Sequence, residues 1–241
     1  MKRVLVINPN TRADMTAMVV DAARLAMPDI EFRAATGRFG GLYIASRAAF
    51  AIAGHAAIEA WAEHGEGCDA VLLACFGDPG LDALREISPV PVIGLVEAAA
   101  REAAAGGARY AIVTGGLRWG PMLEEMVRLR RLDATLAGIH TIPPTGGAIA
   151  SDPDAFRDVL AEACRHCARA FGAERVILGG AGLIGLAARV QPMVDIPVIC
   201  SVEAGFRAVA AALAAATPPG PLPKPDGVAS VGLLPALARH L

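Results

Sequence analysis

Short apolar runs and longer amphipathic segments alternate along the first half of the chain. Val4–Ile7 is a continuous apolar run, which is typical of a strand buried on both faces of a sheet. The segment Ala13–Met27 carries its apolar residues at helical spacing. The same signals then predict, in order, a strand at Ile30–Ala35, a helix at Ser46–His64, a strand at Cys68–Cys75, a helix at Leu81–Glu86 and a strand at Val90–Gly94. Strands that alternate with helices predict an α/β fold with a parallel sheet covered on both faces.

The second half of the chain repeats this pattern. Three segments match at an offset of about 105 to 106 residues, namely Arg109–Gly116 with Arg3–Asn8, Arg175–Gly182 with Ala70–Gly77, and Ile196–Ala204 with Val90–Ala98. The intervening sequence predicts a helix at Met122–Arg131, a strand at Thr135–Ile142, a helix from Pro153 to about Phe171, and an irregular proline-rich stretch at Thr217–Asp226. We therefore predict two pseudo-symmetric α/β domains, residues 1–96 with 206–241 and residues 97–205, which face each other across an active-site cleft.

The composition indicates a globular protein and excludes several functional classes. The chain has 241 residues, of which 54% are hydrophobic, and a formal net charge of −2. Nucleic-acid binding is not expected because no basic run occurs, and no apolar stretch reaches the roughly 20 residues of a membrane span. The apolar run that starts at Val4 stops at Asn8, so no secretion signal is expected. Five cysteines without framework spacing favour reduced thiols in the cytoplasm, and small neutral or acidic metabolites are the expected partners.

Cys75 is the first candidate for chemistry because it stands where an apolar strand passes into a glycine-containing turn. In open parallel sheets, ligands bind at this edge, where strands give way to helix N-termini. Free N–H groups and the helix dipole there lower the pKa of a thiol from about 8.5 towards neutrality. We therefore expect a reactive thiolate at Cys75; the alternative is a buried structural cysteine.

Other motifs favour structural roles. Cys164 and Cys167 form a C-x-x-C pair, but both lie on the apolar face of a predicted helix and no second pair completes a zinc site. The histidines show no ligand spacing, so no metal is expected. Gly179–Gly182 follows a strand without matching a nucleotide-binding sequence. Asn8–Thr11 and Thr114–Gly116 stand at matching strand ends, where they either bind a small polar ligand or form ordinary turns.

Three separated segments resemble a known family. Ile7–Thr11, Ala74–Gly80 and Thr114–Leu123 are similar to the hydantoin and allantoin racemases of the aspartate/glutamate racemase superfamily. The resemblance covers nearly the whole chain and implies two pseudo-symmetric parallel α/β domains. It also implies racemisation without a cofactor, in which a cysteine from each domain works on opposite faces of the substrate carbon. We also expect a homo-oligomer.

The resemblance assigns roles to individual residues. Cys75 would move the proton on one face of the carbon next to a carbonyl, and hydrogen-bond donors would stabilise the enolate that forms. The expected substrate-binding residues are Asn8, Asn10, Ser46, Phe76, Gly77, Thr114, Gly115, Gly116, Trp119 and Ala181. The expected activity is racemisation of 5-substituted hydantoins or of allantoin.

One position departs from the family pattern, because Gly180 stands where the family carries its second cysteine. Glycine cannot move a proton, and loss of one positioned acid or base costs about 10²- to 10⁴-fold in rate. Cys200 is one possible substitute, since its predicted strand is a neighbour of the strand that ends at Gly180. Gly180 could instead be an introduced, inactivating change. The remaining alternatives are a one-cysteine decarboxylase or lyase of the same superfamily and a non-catalytic protein that binds a small ligand.

Overall fold

The computed structural model describes residues 1–215 and 229–240, and these form two compact units. Unit 1 comprises the described residues of Met1–Gly94 and Phe206–Leu241, and unit 2 comprises Leu95–Gly205. The predicted irregular stretch Thr217–Asp226 lies outside the described residues. Within the described residues, none of the helices combines the length and the apolar character that a membrane crossing requires.

Unit 1 is built on a four-stranded parallel sheet. Its elements are β1 (Lys2–Asn8), α1 (Ala13–Ala26), β2 (Ile30–Thr36), α2 (Arg47–His64), β3 (Ala70–Leu73), α3 (Leu81–Ile87) and β4 (Val92–Gly94). The strand order is β2-β1-β3-β4. The buried residues of the two central strands are apolar except for Asn8 at the end of β1, as expected for strands covered on both faces. One side of the sheet packs against α2 and α3 through Leu5, Ile7, Val71, Leu73, Ala57, Ala60, Trp61, Leu81 and Leu84.

Unit 2 repeats this topology. Its elements are α4 (Leu95–Ala103), β5 (Tyr110–Gly115), α5 (Trp119–Leu129), β6 (Leu136–Ile142), α6 (Gly146–Ser151), α7 (Pro153–Phe171), β7 (Arg175–Gly179), α8 (Leu186–Val190), β8 (Val198–Cys200) and the start of α9 (Ser201–Ala214). A last helix, α10 (Pro235–Ala238), packs on α2 of unit 1. The strand order of unit 2 is β6-β5-β7-β8. The predicted α/β class and the internal repeat are confirmed.

The repeat extends into the turns that follow β3 and β7. In unit 1 the amide of Asp78 donates to the carbonyl of Cys75 at 3.0 Å, and in unit 2 the amide of Leu183 donates to that of Gly180 at 3.0 Å. Gly80 at φ +81° precedes α3. Gly185 at φ +76° precedes α8. Both units therefore use a left-handed glycine to pass from the turn into the next helix.

Some boundaries differ from the sequence prediction. The strand predicted at Cys68–Cys75 is only Ala70–Leu73, because the chain leaves the sheet for the turn before it reaches Cys75. Helix α6 was not predicted; its N-terminus is capped by Thr145, whose hydroxyl accepts from the amide of Ala148. The interpretation of Cys164 and Cys167 as core residues is confirmed. Both are fully buried in α7, and burial raises the pKa of each thiol to about 12.

Candidate active site

Cys75 lies in the turn between β3 and α3. The amide of Ala74 still donates to Ile7 of β1, at 2.8 Å, and the chain turns directly after it. The carbonyl of Cys75 accepts the amide of Asp78, which closes the turn. Cys75 is 9% exposed, whereas Cys200 is 2% exposed. The turn therefore places the thiol at the carboxyl edge of the sheet, in a largely dehydrated position.

The prediction of a lowered pKa for Cys75 is wrong. Burial raises the pKa of the Cys75 thiol far above its usual range, and the nearby Asp78 carboxylate raises it further. The helix that was expected to stabilise a thiolate begins only at Leu81. The amide of Cys75 is also engaged, because it donates to Leu73 at 2.9 Å. Burial and the Asp78 carboxylate thus favour the neutral thiol of Cys75 over the thiolate.

Asp78 is a candidate functional residue that the sequence reasoning missed. Its side chain is 2% exposed although it is ionisable, and its backbone adopts φ +51°. Gly94, at the end of β4, provides the space for its carboxyl group: a Cβ atom at Gly94 would lie 2.4 Å from Cγ of Asp78. In the sequence this aspartate is indistinguishable from an ordinary turn residue.

Asn8 at the end of β1 and the nearby Asn10 make different hydrogen bonds. Nδ2 of Asn8 donates to the Asn10 side chain (2.9 Å), the Arg12 carbonyl (3.0 Å) and the Thr16 hydroxyl (3.0 Å). The buried Asn8 amide is therefore used to fix the turn. Oδ1 of Asn10 also accepts from the amide of Arg12 at 2.9 Å, but its Nδ2 has no acceptor among the described residues. Asn10 consequently keeps a donor for a ligand.

The remaining predicted binding residues of unit 1 are partly engaged in the fold. Ser46 caps the N-terminus of α2, and its hydroxyl accepts from the amide of Ala49 at 3.2 Å. Phe76 is buried next to the thiol-bearing residue. Gly77 follows it with φ +156°.

The predicted binding residues of unit 2 hold strand ends together. The Thr114 hydroxyl donates to the carbonyl of Gly179 at 2.7 Å, and the amide of Gly116 donates to Ile142 at 2.8 Å. These two protons are therefore paired within the protein. A Cβ atom at Gly115 would lie 2.4 Å from the carbonyl oxygen of Pro144, so the close approach of two backbones requires glycine there. Trp119 is buried at the start of α5, and the partly exposed Ala181 begins a short 3-10 turn.

Gly180 adopts a backbone conformation that favours glycine, with φ +140° and ψ +139°. Its amide donates to the hydroxyl of Ser201 at 3.2 Å. A Cβ atom at this position would meet only the tip of one flexible side chain, Cδ1 of Leu183, at 3.1 Å. The site therefore has room for a side chain, whereas its backbone disfavours one.

Cys200 lies on the strand next to Gly180, as the sequence predicted. It ends β8 and is paired in register with Leu178 of β7. Burial is the largest cause and raises the pKa of its thiol. Backbone hydrogen bonds from Glu203, Gly185 and Val202 oppose this rise, whereas the charge of the Glu203 side chain adds to it. The side chain that hydrogen-bonds to Gly180 is that of the adjacent Ser201, the first residue of α9, and sequence reasoning missed it because the contact depends on the pairing of β8 with β7.

Outside these turns, unit 2 carries a surface depression of about 490 Å³ beside β6 and α7. The rings of His140 and His166 meet there, with centroids 4.6 Å apart. Burial, and then the neighbouring imidazole, lower the pKa of His140. Among residues 1–215 and 229–240, no three His, Cys, Asp or Glu side chains are grouped so that they could hold a metal ion.

Comparison with known proteins gives a consistent result. Residues 4–209 match the family model for Asp/Glu/Hydantoin racemase. The chain is 36% identical over 217 residues to a hydantoin racemase of Paenarthrobacter aurescens, covering 85% of this chain and 88% of that protein. Among solved structures it resembles the allantoin racemase from Pseudomonas fluorescens, with 26% identity, TM-score 0.89, and 95% and 100% of the two chains covered. It also resembles the allantoin racemase from Klebsiella pneumoniae, with 28% identity, TM-score 0.86, and 96% and 97% covered.

Proposed function

Because the chain belongs to the Asp/Glu/hydantoin racemase family and is therefore an isomerase of the racemase type, we propose that it racemises 5-substituted hydantoins or allantoin without a cofactor. The observation that carries this proposal is the place of Cys75, in the turn at the carboxyl edge of a parallel sheet. The named relatives act on hydantoins and on allantoin, which share a ring carbon that bears an acidic hydrogen next to a carbonyl.

Inversion of such a carbon needs two proton transfers. A base removes the proton from one face, the electrons move onto the carbonyl oxygen as an enolate, and an acid returns a proton to the other face. Burial favours the neutral thiol of Cys75, so Cys75 begins as the proton donor in one direction of the reaction, and its thiolate acts as the base in the reverse direction. Nδ2 of Asn10 is a candidate donor to a substrate oxygen because it has no acceptor among the described residues.

The second proton carrier must be a residue other than Gly180, because glycine offers no side chain. Cys200 is our candidate, supported by its position on the strand beside β7 and by the three backbone hydrogen bonds that oppose the rise in its pKa. Its deep burial argues for a slow reaction. We expect activity about 10²- to 10⁴-fold below that of a racemase with two positioned thiols. That both strand ends serve one substrate stays a prediction.

Solvent isotope exchange tests this proposal. Enantiopure 5-substituted hydantoin and allantoin are incubated with the protein in D₂O, and deuterium uptake is measured by mass spectrometry while circular dichroism follows the optical activity. Racemisation predicts deuterium uptake together with inversion, above the rate in protein-free buffer. Cys75→Ser should abolish both signals, and Cys68→Ser, which changes another buried thiol of unit 1, should leave them intact.

The same experiment separates the alternatives. Deuterium uptake with retention of configuration would show a one-thiol enzyme and would favour the lyase or decarboxylase. Binding without any exchange would favour the non-catalytic protein. Either result would contradict the proposed racemase.

A further inference from the structure

The carboxyl group of Asp78 occupies a prepared position in unit 1. The side chain is almost fully buried, and a Cβ atom at Gly94 would lie 2.4 Å from both Cγ and Oδ2 of Asp78. The left-handed backbone of Asp78, at φ +51°, is uncommon for a residue with a side chain. The amide of Asp78 donates to the Cys75 carbonyl, so the turn that carries the thiol also fixes the carboxylate.

The equivalent turn of unit 2 shows that the turn itself does not need an acid. Leu183 makes the same backbone hydrogen bond, to Gly180, at the same 3.0 Å. Leu183 is apolar, so the shared geometry of the turn does not explain why an ionisable side chain stands at Asp78. The turn that contains Cys75 therefore has an acid at this position, whereas the turn that contains Gly180 has a leucine.

We infer that Asp78 is a positioning residue of the proposed active site, which acts through Cys75 by holding it as a protonated thiol. A carboxylate close to a sulfur disfavours the thiolate because the two negative charges repel in a medium of low dielectric constant. For one enantiomer Cys75 then begins as the proton donor and the group on the other face begins as the base, and for the mirror-image substrate the two groups exchange roles. This role rests on the proposed function, but the charge interaction can be measured without substrate.

The test is the rate at which Cys75 reacts with methyl methanethiosulfonate, a small reagent that attacks thiolates. Modification of the Cys75 peptide is followed by mass spectrometry between pH 7 and pH 9. Asp78→Asn removes the charge and keeps the shape, and asparagine tolerates the left-handed backbone. We expect Cys75 in this variant to react about 10-fold faster or more across the pH range, which corresponds to one pKa unit. Cys68, read from the same samples, should not change.

Asp82→Asn is the matched control, because Asp82 is an exposed carboxylate in the first turn of α3. It should leave the Cys75 rate at the wild-type value. Should Asp78→Asn fail to fold by circular dichroism, Gly94→Ala displaces the carboxylate instead, and Cys75 should again react faster. Unchanged or slower reaction of Cys75 in the folded variant would overturn the inference.

Complete protection of Cys75 in both proteins would overturn it as well, because a thiol that no small molecule reaches cannot serve a substrate. If Cys75 reacts faster in Asp78→Asn but the wild-type protein has no racemase activity, the effect of Asp78 on Cys75 is confirmed and only the proposed function is refuted.

Discussion

Introducing a thiol at residue 180 should raise activity and lower stability at once. The backbone there, at φ +140° and ψ +139°, lies in a region that side chains avoid, at a cost of about 1 to 3 kcal/mol. The steric cost is small, because within residues 1–215 and 229–240 the only close neighbour of a new Cβ atom is the flexible tip of Leu183 at 3.1 Å. Gly180→Cys and Gly180→Ala should therefore lose similar stability.

The two variants should differ in rate. A thiol at residue 180 adds an acid/base group worth about 10²-fold or more, so kcat/KM for inversion of an enantiopure hydantoin should rise that much in Gly180→Cys over Gly180→Ala. Circular dichroism follows the inversion, and urea unfolding gives the stability of each protein. Equal rates in the two variants would show that this position has no part in proton transfer. A stability equal to that of wild type would contradict the argument from the backbone.

Three further changes test other parts of the structure. Cys200→Ser should slow inversion about 10²-fold if this thiol is the second carrier, and an unchanged rate of optical inversion would remove it from the mechanism. Gly115→Ala should lower the free energy of unfolding by about 1 to 3 kcal/mol in urea titrations, because the new methyl group would sit 2.4 Å from the Pro144 carbonyl oxygen. The folded state lowers the pKa of His140 below 6.5, mainly by burial, so the unfolded chain binds the proton more readily. Stability should therefore fall as pH drops from 7 through 6.5. The melting temperature of His140→Gln should fall less than that of the wild type between pH 7.5 and pH 5. If the two proteins give identical curves of melting temperature against pH, this histidine is excluded as a cause.

The sequence was sufficient for the fold because the determining signals are local. Apolar runs such as Val4–Ile7 are recognisable as buried strands without knowledge of their neighbours. The repeat then fixed the shared topology of the two sheets, since matched segments form matched elements. The ends of elements were less accurate, as with the strand predicted to reach Cys75, because the point where a chain leaves a sheet depends on the turn.

The candidate site was harder to predict because its properties depend on contacts between distant residues. The pKa of Cys75 was predicted in the wrong direction, since the sequence shows the adjacent turn but not the extent of burial. Asp78 was overlooked because its carboxyl group is buried in space that is open only because residue 94 is a glycine. The internal pairing of Asn8 could not be seen either, because it needs the hydroxyl of Thr16 from the next helix.

The buried acid Asp78, in the turn that carries Cys75, has a thermodynamic consequence for a racemase. Mirror-image substrates have the same free energy in water, so the equilibrium constant between them is unity whatever enzyme is present. The values of kcat/KM for the two enantiomers must then be equal. An asymmetric distribution of charge at the active site can only make one enantiomer bind more tightly and turn over more slowly. The other enantiomer then binds more weakly and turns over faster.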